Sequence, residues 1–382
     1  MNSEPAASNN EQIVPFDNGP TDAVREIMRQ VIAKKTRSNY EGYNVKFLLW
    51  MYDDDNLREE LLKDWFLEEL HCKKAEDDNA GNKTKVKHHV QRKYCQSVLS
   101  KIKKEDNNCP IILSKLTFNH FSHYLSTRRN SDGEMLSNAS YSGYRSALMD
   151  IYRMSGYEMD DLFKKDLGVL LGGMKRTVTQ SRIDSGTVLD KGKKPMSLDV
   201  YKKLCLILYS GDDPEYVFAH LFLILEWNLM ARSDNCLQMT LTHLQWRNDS
   251  LVFFFGKTKR NQTGDANHHP WHVYSNPFKP EICPVLALAK YFMCHPQLLQ
   301  KPKCQLFPGG NQYSRFSYVL HKVLNKHANE FAALGVDPKS LGTHSIRKGA
   351  ISLVSAGCTV PPPMAAICLW AAWTKDWYIH YE

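Results

Sequence analysis

The chain has no apolar run approaching the ~18 residues that a membrane-spanning helix needs. Its longest candidate, FAHLFLILEWNLM at 218–230, is interrupted by polar residues and reads as a buried helix. The opening MNSEPAASNNEQ lacks the apolar segment of a secretory signal. Ten cysteines are scattered without a single C-x-x-C pair, which suits reduced intracellular thiols better than a disulfide framework. Histidine and cysteine do gather at His268, His269, His272 and Cys283, and again at Cys294, His295 and Cys304, but without the paired spacing of a zinc finger. No Gly-x-x-x-x-Gly-Lys-Ser/Thr is present, so Phe307–Gly310 reads as a turn and not as a phosphate loop. These absences remove membrane spans, disulfide scaffolds, zinc fingers and Walker-type nucleotidases, and leave no metal or cofactor to be expected.

What is present argues for a folded, nucleic-acid-facing protein. A length of 382 residues suits two or three domains, and 43% hydrophobic residues with 18 Tyr, 16 Phe and 8 Trp supply a sizeable core. The net charge of +8 says little by itself; its distribution says more. Lys83, Lys85, Lys87, Arg92, Lys93, Lys101, Lys103 and Lys104 follow one another with no acidic residue between them. Such a face favours a polyanion by counterion release, and double-stranded DNA is the expected partner. A solvated helix face is the bland alternative.

The periodicity predicts a mainly α fold with a small β-sheet. Residues 1–19 read as a flexible tail. Residues 20–170 read as a helical bundle. One helix carries Tyr40, Tyr43, Phe47, Trp50 and Met51, and a second carries Leu61, Leu62, Trp65 and Phe66. Val90, Tyr94, Val98 and Ile102 place Arg92 and Lys93 on the polar side of a third. Another follows at Phe118, Phe121 and Leu125. Ser140 is the expected cap of a helix with Tyr144, Leu148 and Ile151 inward. The Gly-, Ser- and Thr-rich stretch 171–184 reads as a linker to a second domain at 185–382. There Ser197 caps a helix, and HLQWRNDSLVFFFGKTKR predicts a hairpin turning at Arg247–Ser250. The histidine-rich stretch after it reads as a connection or a DNA-following loop.

The second domain carries ARSDN with Arg232, GKTK with Lys257, HSIR with His344 and Arg347, and the ending CLWAAWTKDWYIHYE. Arg, hairpin Lys, His-x-x-Arg, Trp and Tyr in that order resemble the catalytic series of tyrosine recombinases and phage-type integrases. HSIRKGA and YIHYE look closest to eukaryotic Crypton-type elements. The resemblance implies a helical core-binding domain followed by a tyrosine recombinase catalytic domain. It implies Arg232, Lys257, His344, Arg347, Trp373 and Tyr378 as catalytic residues. An acidic residue often stands three after the first arginine in that family; Asn235 stands there in this chain, with Asp234 one earlier. Trp373 and Tyr378 are five apart, shorter than the family's spacing. Trp370 and Tyr381 are the alternatives that lengthen it, and Lys259 is the alternative to Lys257.

Those residue types suit phosphodiester chemistry. Two guanidinium forks can clamp the scissile phosphate and offset charge growing in the transition state. A tyrosine hydroxyl, with an ordinary pKa of about 10, needs activation, for which His344 is the candidate base or relay. Lys257 can protonate the leaving 5′ oxygen, and Trp373 can offer an indole N–H. The implied activity is DNA cleavage and rejoining through a 3′-phosphotyrosyl link, as in transposition or integration. Self-association on DNA, as a four-protomer synapse, and a nuclear location are expected with it. The alternative is a catalytically silent, element-derived DNA-binding protein.

Overall fold

The computed structural model describes residues 24, 27, 30–79, 89–103, 106–186, 192–255 and 270–371. They are mainly helical with one three-stranded antiparallel sheet. Two compact units result, Met1–Asp190 and Lys191–Glu382. No helix among the described residues is long and apolar enough to cross a membrane.

The first unit runs through α1 (Lys34–Asp53), α2 (Asp55–Leu61), α3 (Asp64–Asn79), α4 (His89–Ser100), α5 (Phe118–Thr127), α6 (Asn138–Ser155) and α7 (Asp161–Asp184). Phe47 of α1 meets Phe121 edge-on at 5.2 Å, and Tyr124 meets Tyr144 edge-on at 5.5 Å, so three helices share one aromatic core. The single helix expected around Leu61–Phe66 is two. Leu62 is extended and bridges Ile111, while the amides of Lys63 and Ile112 bond Pro110 O at 3.0 Å and Leu61 O at 2.8 Å, which takes the chain out of helix there. The cap of α6 is Ser137, not Ser140: its side chain accepts the Ser140 amide at 3.2 Å, and Ser140 already lies within the helix.

The stretch 171–184 is not a linker. It is the second half of α7, which stays helical because Met174 and Val178, four apart, bury into the core. Gly172 and Gly173 have open space around them, so they cost helix propensity without breaking packing. On α4 the fully buried line is Gln91, Cys95 and Leu99, while Tyr94 and Val98 of the expected stripe are partly buried against the same core and Ile102 beyond the helix is buried. Arg92 is therefore half-buried, while Lys93 and Lys101 are exposed and Lys103 lies 3.9 Å from Asp106. Lys83, Lys85, Lys87 and Lys104 lie outside the described residues.

In the second unit α8 (Leu198–Ser210) begins at Ser197, whose side chain accepts the Val200 amide. Helix α9 (Pro214–Asn228) is buried along almost its whole length and packs against α8, α11 (Pro284–Cys294), α12 (Gln312–Lys326) and α14 (Thr343–Ala356). Between α9 and β1 lies the short α10 (Ser233–Leu237). Strand β1 (Leu244–Arg247) pairs with β2 (Ser250–Phe253) in the expected hairpin, Arg247 opposite Ser250, with Asn248 at φ 52° in the turn. A third strand, β3 (Trp271–Tyr274), pairs on the other side of β2, so the histidine-rich stretch is in part sheet. Being central, β2 is buried on both faces, which explains its unbroken apolar run. Two shorter helices are α13 (Ala328–Ala333) and α15 (Met364–Trp370).

Candidate active site

The end of α9 builds the site. The Ala231 amide bonds Glu226 O and the Met230 amide bonds Trp227 O, both at 3.2 Å, with Met230 at φ 45°. This is a Schellman-type stop with methionine in the left-handed position that glycine usually fills. Such a backbone is strained by about 1 kcal/mol and persists here because its surroundings hold it. The turn leaves Arg232 at the N-cap of α10, with its carbonyl accepting from the Asn235 and Cys236 amides.

Arg347 meets that turn from α14. It is 8% exposed. Its Nη1 donates to Met230 O at 2.6 Å and its Nη2 to Ala371 O, just past α15. One guanidinium thus ties the α9 turn, α14 and the end of α15 together. Arg232 is close enough that its charge adds to burial in pulling the Arg347 pKa down to about 10, against the opposing pull of Glu226 and Cys236. His344 lies three residues before Arg347 on α14 and is exposed. Thr343 beside it donates to Tyr313 Oη at 2.8 Å.

The bearing of α14 is fixed by the extended chain before α8. The Lys194 amide bonds Ser340 O at 3.0 Å, the Met196 amide bonds Ser345 O at 2.9 Å, and Lys348 Nζ reaches Lys193 O at 2.8 Å. Gly349 permits this approach, since a Cβ there would run into the Met196 carbonyl. The glycine of HSIRKGA is therefore a packing requirement of the helix that carries His344 and Arg347.

Of the residues singled out in the sequence, the structure brings Arg232 and Arg347 together and leaves His344 at the surface of the same helix as Arg347. Trp370 is placed nearby, but its indole N–H donates to Asn228 O at 3.3 Å and its carbonyl accepts from Trp271 Nε1 at 2.8 Å. It is a brace between α9 and β3, with its N–H spent on the protein. Lys257, Lys259, Trp373, Tyr378 and Tyr381 lie outside the described residues. Asn235 is buried and Asp234 exposed. Among the described residues no group of three His, Cys, Asp or Glu is placed to hold a metal.

A buried carboxyl that the motif does not point to lies within the field of Arg347. Glu226 on α9 is 0% exposed. Its Oε1 accepts from Ser233 Oγ at 3.0 Å, and its Oε2 has no hydrogen-bond partner. Burial lifts its pKa to about 8, opposed by the Ser233 bond and the charge of Arg347. Its signal in the sequence was a lone carboxylate in the apolar stretch six residues before Arg232.

No family model matches the chain. No curated protein matches it either. Among solved structures it is similar to a crystal structure of the XerH site-specific recombinase bound to its difH substrate in a pre-cleavage complex. The two are 14% identical, the match covers 88% of this chain and 90% of that one, and the TM-score is 0.44.

Proposed function

We propose that this chain is a tyrosine recombinase that cleaves and rejoins DNA through a 3′-phosphotyrosyl intermediate. One observation carries the reading: two arginines 115 residues apart in sequence converge at one turn, Arg347 held by Met230 O and charged against Arg232. Holding two guanidinium groups close, one of them buried, is costly without an anion to share. A phosphodiester is the anion that two such forks fit. In the proposed reaction Tyr378 Oη attacks the phosphorus, and its proton passes to His344 or solvent. The P–O5′ bond breaks and Lys257 protonates the departing oxygen. Arg232 and Arg347 offset the charge on the phosphoryl oxygens. A 5′ hydroxyl from a partner duplex reverses the step. The Crypton-like ending supports a mobile-element context, hence the nucleus, and strand exchange between duplexes calls for a multimeric, four-protomer assembly.

The test is covalent trapping on nicked duplexes taken from the sequence flanking the coding region, where loss of a short strand prevents rejoining. The expected result is a protein–DNA adduct that Tyr378→Phe abolishes and Tyr381→Phe keeps. An adduct surviving in Tyr378→Phe and mapping to Tyr381 overturns the choice of nucleophile. Tight duplex binding without any adduct identifies the silent, element-derived binder, a reading favoured by the five-residue spacing from Trp373 to Tyr378.

A further inference from the structure

A carboxyl sealed inside a helix core and lacking a partner for one oxygen is expensive and calls for a reason. Glu226 has three connections that lead toward the arginine pair. Its Oε1 holds Ser233, the residue after Arg232. Its backbone carbonyl holds the Ala231 amide, the residue before Arg232. Its charge, when present, is felt by Arg347 and by buried Cys236. We propose that Glu226 is the positioning residue and buried counter-charge of the Arg232–Arg347 pair, fixing the turn that presents Arg232 and setting by its own protonation how strongly the pair holds an anion. This rests on the reading of that pair as a phosphate site.

The groups facing Glu226 are Ser233 and Cys236 on α10 and Arg347 on α14, with Arg232 set against Arg347. When the carboxyl is neutral, the two arginines present their full charge to a phosphate. When it ionises, it competes for that charge. Anion binding and protonation of Glu226 therefore favour each other by linkage. A residue acting only as a brace would lack this coupling, because Gln in its place keeps an acceptor for Ser233.

The probe is sulfate, which does not titrate in the working range. Its affinity for the full chain is measured by thermal shift from pH 6.5 to 9, below the Arg347 pKa of about 10. The Arg232→Ala variant supplies the site-independent part, which is subtracted. Ionisation of Glu226 centres near pH 8. If bound sulfate raises that value by one pH unit, affinity at pH 9 falls roughly fivefold from its value at pH 6.5. In Glu226→Gln the affinity is expected to stay level, while Ser233→Ala weakens binding at every pH and keeps the fall. The same pH dependence in wild type and Glu226→Gln overturns the proposal and leaves the phosphate reading standing. Absence of any Arg232-dependent sulfate binding overturns the phosphate reading, and the proposal with it.

Discussion

Replacing Glu226 by Gln should make the protein more stable, and more so as pH rises. The carboxyl has a pKa of about 8 in the folded chain against an ordinary value of 4.5, and burial is the main cause. Below pH ~4.5 the group is protonated folded or unfolded, and it adds no pH dependence. Between those two values the unfolded chain loses the proton while the folded chain keeps it. Folding then costs up to about 1.4 kcal/mol more for each pH unit climbed. Above pH 8 both states are ionised and the penalty is complete, on the order of 5 kcal/mol across the window. Glutamine does not titrate, so the difference between the two proteins follows this curve while every other group cancels. At pH 7 the advantage of Glu226→Gln is ~3 kcal/mol, which in a unit of this size raises the melting midpoint by about 6–12 °C. At pH 5 it shrinks below ~1 kcal/mol. Calorimetry on the full chain at pH 5, 6, 7 and 8, following the transition that responds to the substitution, measures it. A constant difference across that range would refute the reasoning, because it would mean that the carboxyl ionises as freely folded as unfolded.

Two further outcomes follow from packing and charge. Gly349→Ala should cost about 2–3 kcal/mol by driving a methyl into the Met196 carbonyl, whereas Gly168→Ala on α7, with open space around it, should stabilise by ~0.5–1 kcal/mol; paired denaturation curves separate the two. Replacing Lys83, Lys85, Lys87, Lys93 and Lys101 by Ala should lower the salt slope of duplex binding by about one for each phosphate that no longer meets a lysine. Arg92→Ala should instead lower the melting midpoint, since this side chain is half-buried in the bundle.

The features that could be read in the sequence are those set by local periodicity. Phe47, Phe121 and Tyr144 each lie on a stripe of helical spacing within their own helix, and all three are core. Hairpin β1–β2 could be read because Asn248–Asp249 is a turn dipeptide between two extended runs. What escaped depended on partners far along the chain. Leu62 leaves helix because its neighbours Leu61 and Lys63 bond the chain on either side of Ile111, 49 residues on from Leu62. The stretch 171–184 stays helical because Met174 and Val178 find a core, which outweighs its glycines. Strand β3 was hidden because WHVY is four residues long and, among the described residues, takes its ladder from β2.

The site shows the same division and explains why Glu226 lay outside the motif. A motif records residue types that a reaction needs at the reacting atoms, so Arg232, His344 and Arg347 stand out by order and spacing. A group that acts through those residues is free to come from any element packed behind them. Asn235 occupies the place where the resemblance led one to look for a carboxylate, while a carboxyl inside α9 acts on Arg347 by its charge and holds Ser233, the residue after Arg232. Inside a helix as apolar as α9, hydrophobic burial favours Leu or Phe at every inward position, as at Leu223 and Phe222. A carboxylic acid at such a position lowers stability at neutral pH, and Ser233 answers only one of its oxygens. Stability alone therefore does not account for Glu226. The requirement that does is local: two arginines must remain close together at a strained turn, and Glu226 is the one buried acid among the described residues that both holds Ser233 in that turn and opposes the charge of Arg347.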